Sequence, residues 1–204
     1  MDEIVKAAIA KWPNVPHCYG WLALDARGQW RMRDERCQTL KLPGDIIRHP
    51  ALIDFINRNY QCDDQGCWYF QNGPQRVYVE LEATPFIVRT SNEGFYLQNG
   101  KKLTAIDEAF IDDEGRIFFQ SKHLLAMLDD RDLSECLSMI QHNQSEVNEE
   151  SLMAWINEEE TLGTFELFEA KLNVRVRLTK KSLGSAMDAA GYVASPKLLS
   201  LKSN

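Results

Sequence analysis

Two groups of side chains in this sequence are of types that perform chemistry in proteins. The first contains thiols and imidazoles, which are the preferred ligands of zinc: Cys18, Cys37, Cys62, Cys67, His17 and His49. Structural zinc sites usually pair such ligands two to four residues apart. Cys62 and Cys67 form the only close cysteine pair, and the turn between them sends their side chains to opposite faces of a sheet. The sequence therefore predicts no metal site, and it contains no cofactor motif.

The second group lies on two short segments that are rich in aromatic and amide side chains. Residues 12–21 contain two prolines, which hold the backbone extended, and residues 70–78 contain a tight turn at Asn72-Gly73. If the two segments meet, they would line a cleft for a small ligand or a protein partner. The alternative is that Asn72 and Gly73 only build the turn. The predicted binding residues are Trp12, Asn14, His17, Tyr19, Trp21, Asn72, Gln75 and Arg76.

The same segments allow a rival hypothesis, a small enzyme that uses His17 or Cys18 with Asn72 and Arg76 as polar stabilisers. The sequence contains no Gly-x-Ser-x-Gly elbow, no glycine-rich phosphate loop and no His-Glu-x-x-His motif. A deep pocket that holds His17 beside a second titratable group would favour the enzyme, whereas a shallow aromatic surface would favour binding. We therefore expect a non-catalytic binding or regulatory protein, with the enzyme as the alternative.

A third hypothesis, a nucleic-acid accessory protein, rests on a basic stripe near the end of the chain. The stripe consists of Arg175, Arg177, Lys180 and Lys181. These residues alternate with apolar ones, a pattern typical of an ordinary half-buried strand. A net charge of −7 and a pI near 5.2 oppose binding to phosphate backbones and to anionic lipid. The sequence therefore disfavours nucleic acid as a partner.

Composition and length limit the protein class. An apolar content of 44% in 204 residues allows a proper core. Five cysteines are an odd number, and a chain of this size needs no disulfide staples, which indicates a reducing compartment. The sequence has no secretory signal pattern, and no stretch approaches the roughly 20 apolar residues that span a bilayer. We expect a cytoplasmic protein without membrane contact.

Three repeats of one turn motif predict the elements that carry these side chains. In 24–30, 62–68 and 111–117, an aspartate opens the turn and a glycine closes it three residues later. The aspartate carboxylate accepts bonds from backbone amides, and glycine adopts the left-handed conformation cheaply. A type I turn with a glycine bulge fixes the strand register. The predicted cross-strand pairs are Leu24–Trp30, Leu22–Met32, Cys62–Trp68, Tyr60–Phe70, Ile111–Ile117 and Ala109–Phe119.

The pattern along the chain predicts an α+β fold in which antiparallel hairpins and a β-meander pack with several helices. We expect helices before Pro13, from Pro50 to Asn59, once or twice in 122–142, around Leu152 and after Thr179. A last hairpin is predicted in 164–178. The polar run 141–146 suggests a boundary, with a main domain at 1–142 and a small helix-hairpin-helix module at 143–204 docked on it.

Three segments resemble the hallmark segments of an uncharacterised proteobacterial domain-of-unknown-function family. They are Lys-Trp-Pro-Asn-Val-Pro-x-Cys-Tyr-Gly-Trp-Leu at 11–22, Gly-Cys-Trp-Tyr-Phe-Gln-Asn-Gly-Pro-Gln-Arg-Val-Tyr-Val-Glu-Leu-Glu at 66–82, and Ala-Gly-Tyr-Val-Ala-Ser-Pro at 190–196. The resemblance spans nearly the whole chain. It implies a bacterial cytoplasmic protein whose modules form one unit, and it implies no catalytic residue, cofactor or substrate.

Overall fold

The chain folds into two compact units. The structure, a computed structural model, describes residues 1–122, 124–157 and 164–198. Backbone contacts assign Met1–Pro85 and Gly191–Asn204 to unit 1, and Phe86–Ala190 to unit 2.

Unit 1 contains one mixed six-stranded sheet. The elements are α1 (Glu3–Lys11), β1 (Cys18–Leu24), β2 (Trp30–Met32), α2 (Glu35–Thr39), β3 (Asp45–Ile46), α3 (Pro50–Arg58), β4 (Tyr60–Cys62), β5 (Trp68–Asn72) and β6 (Gln75–Leu81). The strand order of the sheet is β3-β2-β1-β6-β5-β4, and only the β1–β6 pair among its described strands is parallel.

Unit 2 contains a mixed nine-stranded sheet. The elements are β7 (Phe86–Ser91), β8 (Gly94–Leu97), β9 (Glu108–Ile111), β10 (Ile117–Ser121), β11 (Leu124–Leu128), a 3₁₀ turn (Asp130–Asp132), α4 (Leu133–Leu137), β12 (Ile140–His142), β13 (Ser145–Glu146), α5 (Glu149–Ile156), β14 (Phe165–Glu169), β15 (Val174–Lys180) and α6 (Leu183–Ala190). The strand order is β13-β12-β14-β15-β9-β10-β11-β7-β8, and the pairs β15–β9 and β11–β7 are parallel.

The predicted α+β class is confirmed, and the division into units differs from the boundary expected at residue 142. The last hairpin, β14–β15, continues the sheet of the preceding residues because β15 pairs in parallel with β9. Residues from Gly191 onward belong to unit 1, since Val193 forms a parallel bridge with Cys67. The polar run 141–146 is the β12–β13 hairpin of unit 2.

The three predicted hairpins and their register are confirmed. All six predicted cross-strand pairs occur, and Gly28, Gly66 and Gly115 have φ of 75°, 79° and 75°. Each turn aspartate uses Oδ1 to accept two backbone N–H groups. Asp63, for example, accepts from Gln65 at 3.0 Å and from Cys67 at 2.9 Å. The turns are therefore built by the carboxylate and the glycine together, as the sequence indicates.

One helix of the one or two expected in 122–142 is present, α4 at Leu133–Leu137. The same segment also contains a strand that the sequence analysis did not predict, because Leu124–Leu128 form β11 between β10 and β7. A run of five apolar residues fits a buried strand as well as a buried helix, and tertiary pairing decides between them. Residue 123 lies outside the described residues. His142 is on β12, and its ring stacks on Phe165 at 4.5 Å.

Candidate functional site

The two segments predicted to form a cleft do meet in unit 1. The Gln75 side-chain amide donates to the Pro16 carbonyl at 3.0 Å. The segments run along β1 and β6, which are paired in parallel. On β5 and β6 neighbouring side chains point to opposite faces of the sheet, and the register of β1 shifts between Cys18 and Leu22. The predicted residues therefore divide between two places.

On one face, three tyrosines form what we call the tyrosine cluster: Tyr19, Tyr69 and Tyr78. The rings of Tyr19 and Tyr78 stack at 4.6 Å with an interplanar angle of 3°. The Arg76 guanidinium lies over the Tyr69 ring at 4.6 Å. The Tyr78 hydroxyl donates to Asp63 Oδ2 at 2.9 Å, and its oxygen is also hydrogen-bonded to the Arg76 side chain. The Tyr78 hydroxyl at the centre of the cluster thus has hydrogen-bond partners in Asp63 and Arg76.

The acid–base properties of the cluster suit structure better than catalysis. Burial, opposed by the hydrogen bond with Arg76 and helped by Asp63, raises the pKa of Tyr78 to about 12. Burial also raises the pKa of Tyr19 and of Tyr69. These hydroxyls therefore stay protonated at neutral pH and are bound to fixed partners.

His17 and Cys18, the residues of the rival enzyme hypothesis, have different surroundings. His17 is exposed, and its ring meets the Tyr78 ring edge-on at 5.7 Å. Burial raises the pKa of the Cys18 thiol, which keeps it protonated and weakly nucleophilic. Cys62 and Cys67 likewise have a pKa raised to about 11, chiefly by burial. All five cysteines are free, and within the described residues no cluster of His, Cys, Asp or Glu could hold a metal.

On the other face of the sheet lies what we call the apolar groove, a cavity of about 230 Å³. Leu22, Phe70 and Val77 of the sheet and Ile56 of α3 form its inner walls. Three large apolar side chains stand at its edge partly exposed to solvent: Trp21 at 39%, Met32 at 47% and Leu52 at 36%. Cys18, Ile47 and Asn72 complete the lining.

The predicted site residues are thus distributed unevenly. Trp21 and Asn72 line the apolar groove, whereas Tyr19, Arg76 and His17 belong to or contact the tyrosine cluster. Gln75 joins the two segments. The side chains of Trp12 and Asn14 are exposed, and neither lines the groove or belongs to the cluster.

Sequence reasoning did not assign Met32, Leu52 and Phe70 to a site. Two signals for them were present. The hairpin register places Met32 opposite Leu22, and Leu52 belongs to the apolar stripe of α3. The pairing of β1 with β6, which brings these residues to one groove, joins strands more than fifty residues apart and leaves no local pattern.

Three of the four residues of the basic stripe have partners among the described residues. Arg175 binds Glu166 at 3.0 Å and Gln141 at 2.8 Å, and Lys181 lies 3.7 Å from Glu108. The Lys180 ammonium donates to the Trp155 carbonyl. Residues 86–190 contain 11 Lys and Arg against 19 Asp and Glu, a formal charge of −8.

Comparison with known proteins gives a family. The model of DUF2944, described as "Protein of unknown function (DUF2946)", matches residues 1–196. The chain belongs to this family. The family resemblance seen in the sequence is therefore confirmed.

Other comparisons add similarity without function. The chain is similar to a DUF1285 family protein from Silicibacter pomeroyi DSS-3, with 13% identity, a TM-score of 0.48 and coverage of 87% of this chain and 94% of that one. A DUF1285 family protein from Shewanella baltica OS155 has 12% identity, a TM-score of 0.35 and coverage of 56% and 88%. No curated protein matches the chain. Among the described residues, no helix is long and apolar enough to cross a membrane.

In this DUF2944 chain, the three segments that carry the family resemblance converge on the sheet of unit 1. The first two meet through Tyr19–Tyr78 stacking and the Gln75–Pro16 bond. The third joins them from Gly191 onward, because the Val193 N–H donates to the Gly66 carbonyl at 3.0 Å and the Leu81 N–H donates to the Ala194 carbonyl at 2.8 Å. The candidate site of this family member is therefore in unit 1.

Proposed function

We propose that the protein is a non-catalytic binding or regulatory protein, and that its apolar groove holds an apolar side chain of a protein partner. One observation carries the proposal. Trp21, Met32 and Leu52 expose large apolar surfaces around a cavity whose inner walls are also apolar. Aromatic, methionine and aliphatic side chains grouped in this way on a soluble surface are typical of interaction sites. The five free cysteines support a reducing, cytoplasmic setting.

The size of the groove favours a protein partner over a small ligand. Sites for drug-sized ligands have volumes of roughly 300–1,000 Å³, and the groove has about 230 Å³. That space suits one anchoring side chain, and protein interfaces obtain much of their affinity from a few such anchors seated in apolar pockets. The amide of Asn72 at the lining offers hydrogen bonds to the partner's backbone.

The polar groups near the groove support binding better than catalysis. The Cys18 thiol is kept protonated because burial raises its pKa. His17 contacts a tyrosine ring edge and lies outside the groove lining. The surface is thus shallow and apolar, which is the outcome that favours a binding protein over an enzyme.

A peptide selection tests this function. A displayed library of random peptides is selected on wild-type protein, and the enriched peptides are then measured against Met32→Glu. We expect enriched peptides with an aromatic or large aliphatic anchor, and a loss of affinity of at least about tenfold in the variant, because a carboxylate at the groove edge would have to be desolvated on binding.

Met153→Glu is the matched control, because Met153 is a similarly exposed methionine of unit 2, on α5. Binding should be unchanged in this variant. Peptides that bind wild type and Met32→Glu equally well, or a selection that enriches no apolar anchor, would refute the groove as the binding site.

A further inference from the structure

A second cavity of unit 1, distinct from the apolar groove, has a volume of about 320 Å³. Its walls come from β1, β2, the end of β6 and the loop at 41–43. Six charged residues line it: Asp25, Arg31, Arg33, Lys41, Glu80 and Glu82. Its volume falls within the range of small-molecule sites, roughly 300–1,000 Å³.

Three of these six charged residues already have partners within the protein. Asp25 is 5% exposed and binds Arg31 Nε at 2.7 Å, in addition to accepting two backbone N–H groups of its turn. Glu80 accepts from the Ser195 hydroxyl and from the Lys197 N–H. Asp25, Arg31 and Glu80 are therefore structural parts of the wall.

The other three charges remain available to a ligand. Arg33, Lys41 and Glu82 form no ion pair with any residue that the structure describes. Arg33 is half-buried, and its Nε donates to the Leu42 carbonyl at 3.3 Å, which leaves its terminal amines for another acceptor. The Glu82 carboxylate accepts one backbone bond, from the Ala26 N–H at 3.1 Å.

The loop that carries Lys41 is held in a fixed and strained form. The Leu42 N–H donates to the Cys37 carbonyl at 2.9 Å, and Arg31 donates to the Gly44 carbonyl at 3.1 Å. Lys41 has φ of +53°, which is unfavourable for a residue with a β-carbon and is normally left to glycine. This conformation ends α2, because a left-handed residue after the helix lets the Leu42 N–H bond to the Cys37 carbonyl and fixes Lys41 at the cavity wall.

The geometry points to this cavity as a binding site for a small zwitterion of the amino-acid type. The planar Arg33 guanidinium and the Lys41 ammonium together would bind a carboxylate, and the guanidinium offers parallel N–H donors that match it. Glu82 then receives the ammonium group of the same molecule and disfavours ligands that carry only negative charge. The loop does not have to move to place Lys41 in the cavity wall, since its hydrogen bonds are already formed in the structure.

The test is a thermal-shift screen of the full chain against each of the standard L-amino acids, followed by calorimetric titration of the strongest hit. We expect at least one amino acid to raise the unfolding temperature. The same compound without its amino group or without its carboxylate should bind at least about tenfold more weakly, because one charged group of the cavity then loses its partner. A screen without a hit would overturn the proposal. Equal binding of the deaminated compound, or of inorganic phosphate, would also overturn it, since either ligand lacks the ammonium group.

Three substitutions locate the site. Lys41→Gly, Arg33→Gln and Glu82→Gln should each weaken the hit at least about tenfold, because each removes one charge that pairs with the ligand. The side-chain amide oxygen that the last substitution leaves can still accept the bond from the Ala26 N–H. Lys41→Gly should leave the unfolding temperature equal or higher, because it removes the strain at that position.

One further variant controls for general effects of charge removal. Arg36→Gln changes an exposed arginine outside the cavity and should bind the hit as wild type does. Unchanged binding in all three cavity variants would show that the hit binds elsewhere, which would overturn the assignment of this cavity.

Discussion

At the scale of single residues, Gly66 carries two constraints at once. Its φ of 79° is a left-handed conformation, and a β-carbon built on it would lie 1.8 Å from the Gly191 carbonyl oxygen. The first constraint comes from the β4–β5 turn, and the second from the close approach of the C-terminal segment. The sequence motif reveals only the first.

We predict that Gly66→Ala destabilises unit 1 far more than Gly73→Ala does. Gly73 also has a positive φ, 56°, but a β-carbon there would find only the Ala8 side chain at 4.0 Å. Gly73→Ala should cost about 1–2 kcal/mol for the left-handed conformation alone. Gly66→Ala should cost clearly more, because a backbone carbonyl must also move. Urea unfolding measures the loss of unfolding free energy in each variant. Equal losses in the two variants would contradict the contact with Gly191.

The tyrosine cluster gives a second matched pair. Tyr78→Phe removes the donor to Asp63 at 2.9 Å and leaves a carboxylate without that partner, whereas Tyr69→Phe removes only a 3.4 Å contact with Gln61. We expect a loss of about 1–3 kcal/mol in unfolding free energy for the first and less than about 1 kcal/mol for the second. A Tyr69→Phe variant that is the less stable of the two would refute Tyr78 as the centre of the cluster.

Cys136 should make stability fall at alkaline pH. Burial, helped by Glu135 and Asp132, raises the pKa of this thiol to about 12, whereas in the unfolded chain it titrates near about 8.5. The folded state holds the proton more tightly, so the stabilisation is complete below about pH 8.5 and is lost as pH rises toward about 12.

Urea unfolding at about pH 8 and about pH 10.5 measures this effect, with Cys136→Val as the control that lacks the thiol. We expect the wild type to lose about 1–3 kcal/mol more than the variant between the two pH values. Parallel pH profiles would show that the thiol is not buried in solution.

At the scale of elements, local sequence patterns predict the hairpins, but they do not predict the pairings between strands that are far apart in the chain. The turn chemistry of 24–30, 62–68 and 111–117 fixed all six cross-strand pairs, because the register depends on residues close in sequence. The parallel pairs β1–β6, β7–β11 and β9–β15 join strands far apart along the chain. No local periodicity reports such contacts.

The difference between local and distant pairing also explains which residues of the groove could be predicted from the sequence. Trp21 and Asn72 were predicted as binding residues from their segments, but only the β1–β6 pairing brings them to one groove with Met32 and Phe70. It also explains β11, where Leu-Leu-Ala-Met-Leu fits either a helix or a buried strand. The two-residue strand β3 and the short helix α2 carried no signal long enough to predict.

Asp132 attaches the 3₁₀ turn before α4 to strand β7. Its carboxylate accepts from Arg89 Nε at 2.6 Å, Arg89 Nη2 at 2.9 Å and the Thr90 N–H at 2.8 Å. Burial opposes the negative charge, yet these bonds outweigh it and hold the pKa of Asp132 below its ordinary value. The stabilisation is therefore present above about pH 4 and is lost as the pH falls through the lowered pKa.

Asp132→Asn should lower the unfolding free energy by about 1–2 kcal/mol at neutral pH, because one acceptor oxygen and the charge are lost while Arg89 and Thr90 keep their donors. The control is Glu135→Gln, which alters an exposed bond from the Thr90 hydroxyl and should cost less than about 1 kcal/mol. Chemical denaturation at about pH 7 and about pH 3.5 measures both. The difference between wild type and Asp132→Asn should shrink at the lower pH, and a constant difference would contradict the ion pair.

At the scale of the whole molecule, the two units differ in net charge. Residues 86–190 have a formal charge of −8, and the rest of the chain, with 12 Lys and Arg against 11 Asp and Glu, has a charge of +1. The field that opposes nucleic acid therefore comes from unit 2. Unit 1, which is close to neutral, carries both the apolar groove and the zwitterion cavity, so recognition there depends on contact and pairing more than on long-range attraction.

The most direct test of the central claim, that the apolar groove binds a partner's side chain, is the methyl NMR signal of Met32 in protein labelled at methionine methyl groups. On titration with a peptide selected for an apolar anchor, the Met32 signal should shift in proportion to occupancy, while the signal of the similarly exposed Met153 stays in place. A peptide that binds yet leaves the Met32 signal unmoved would contradict the account.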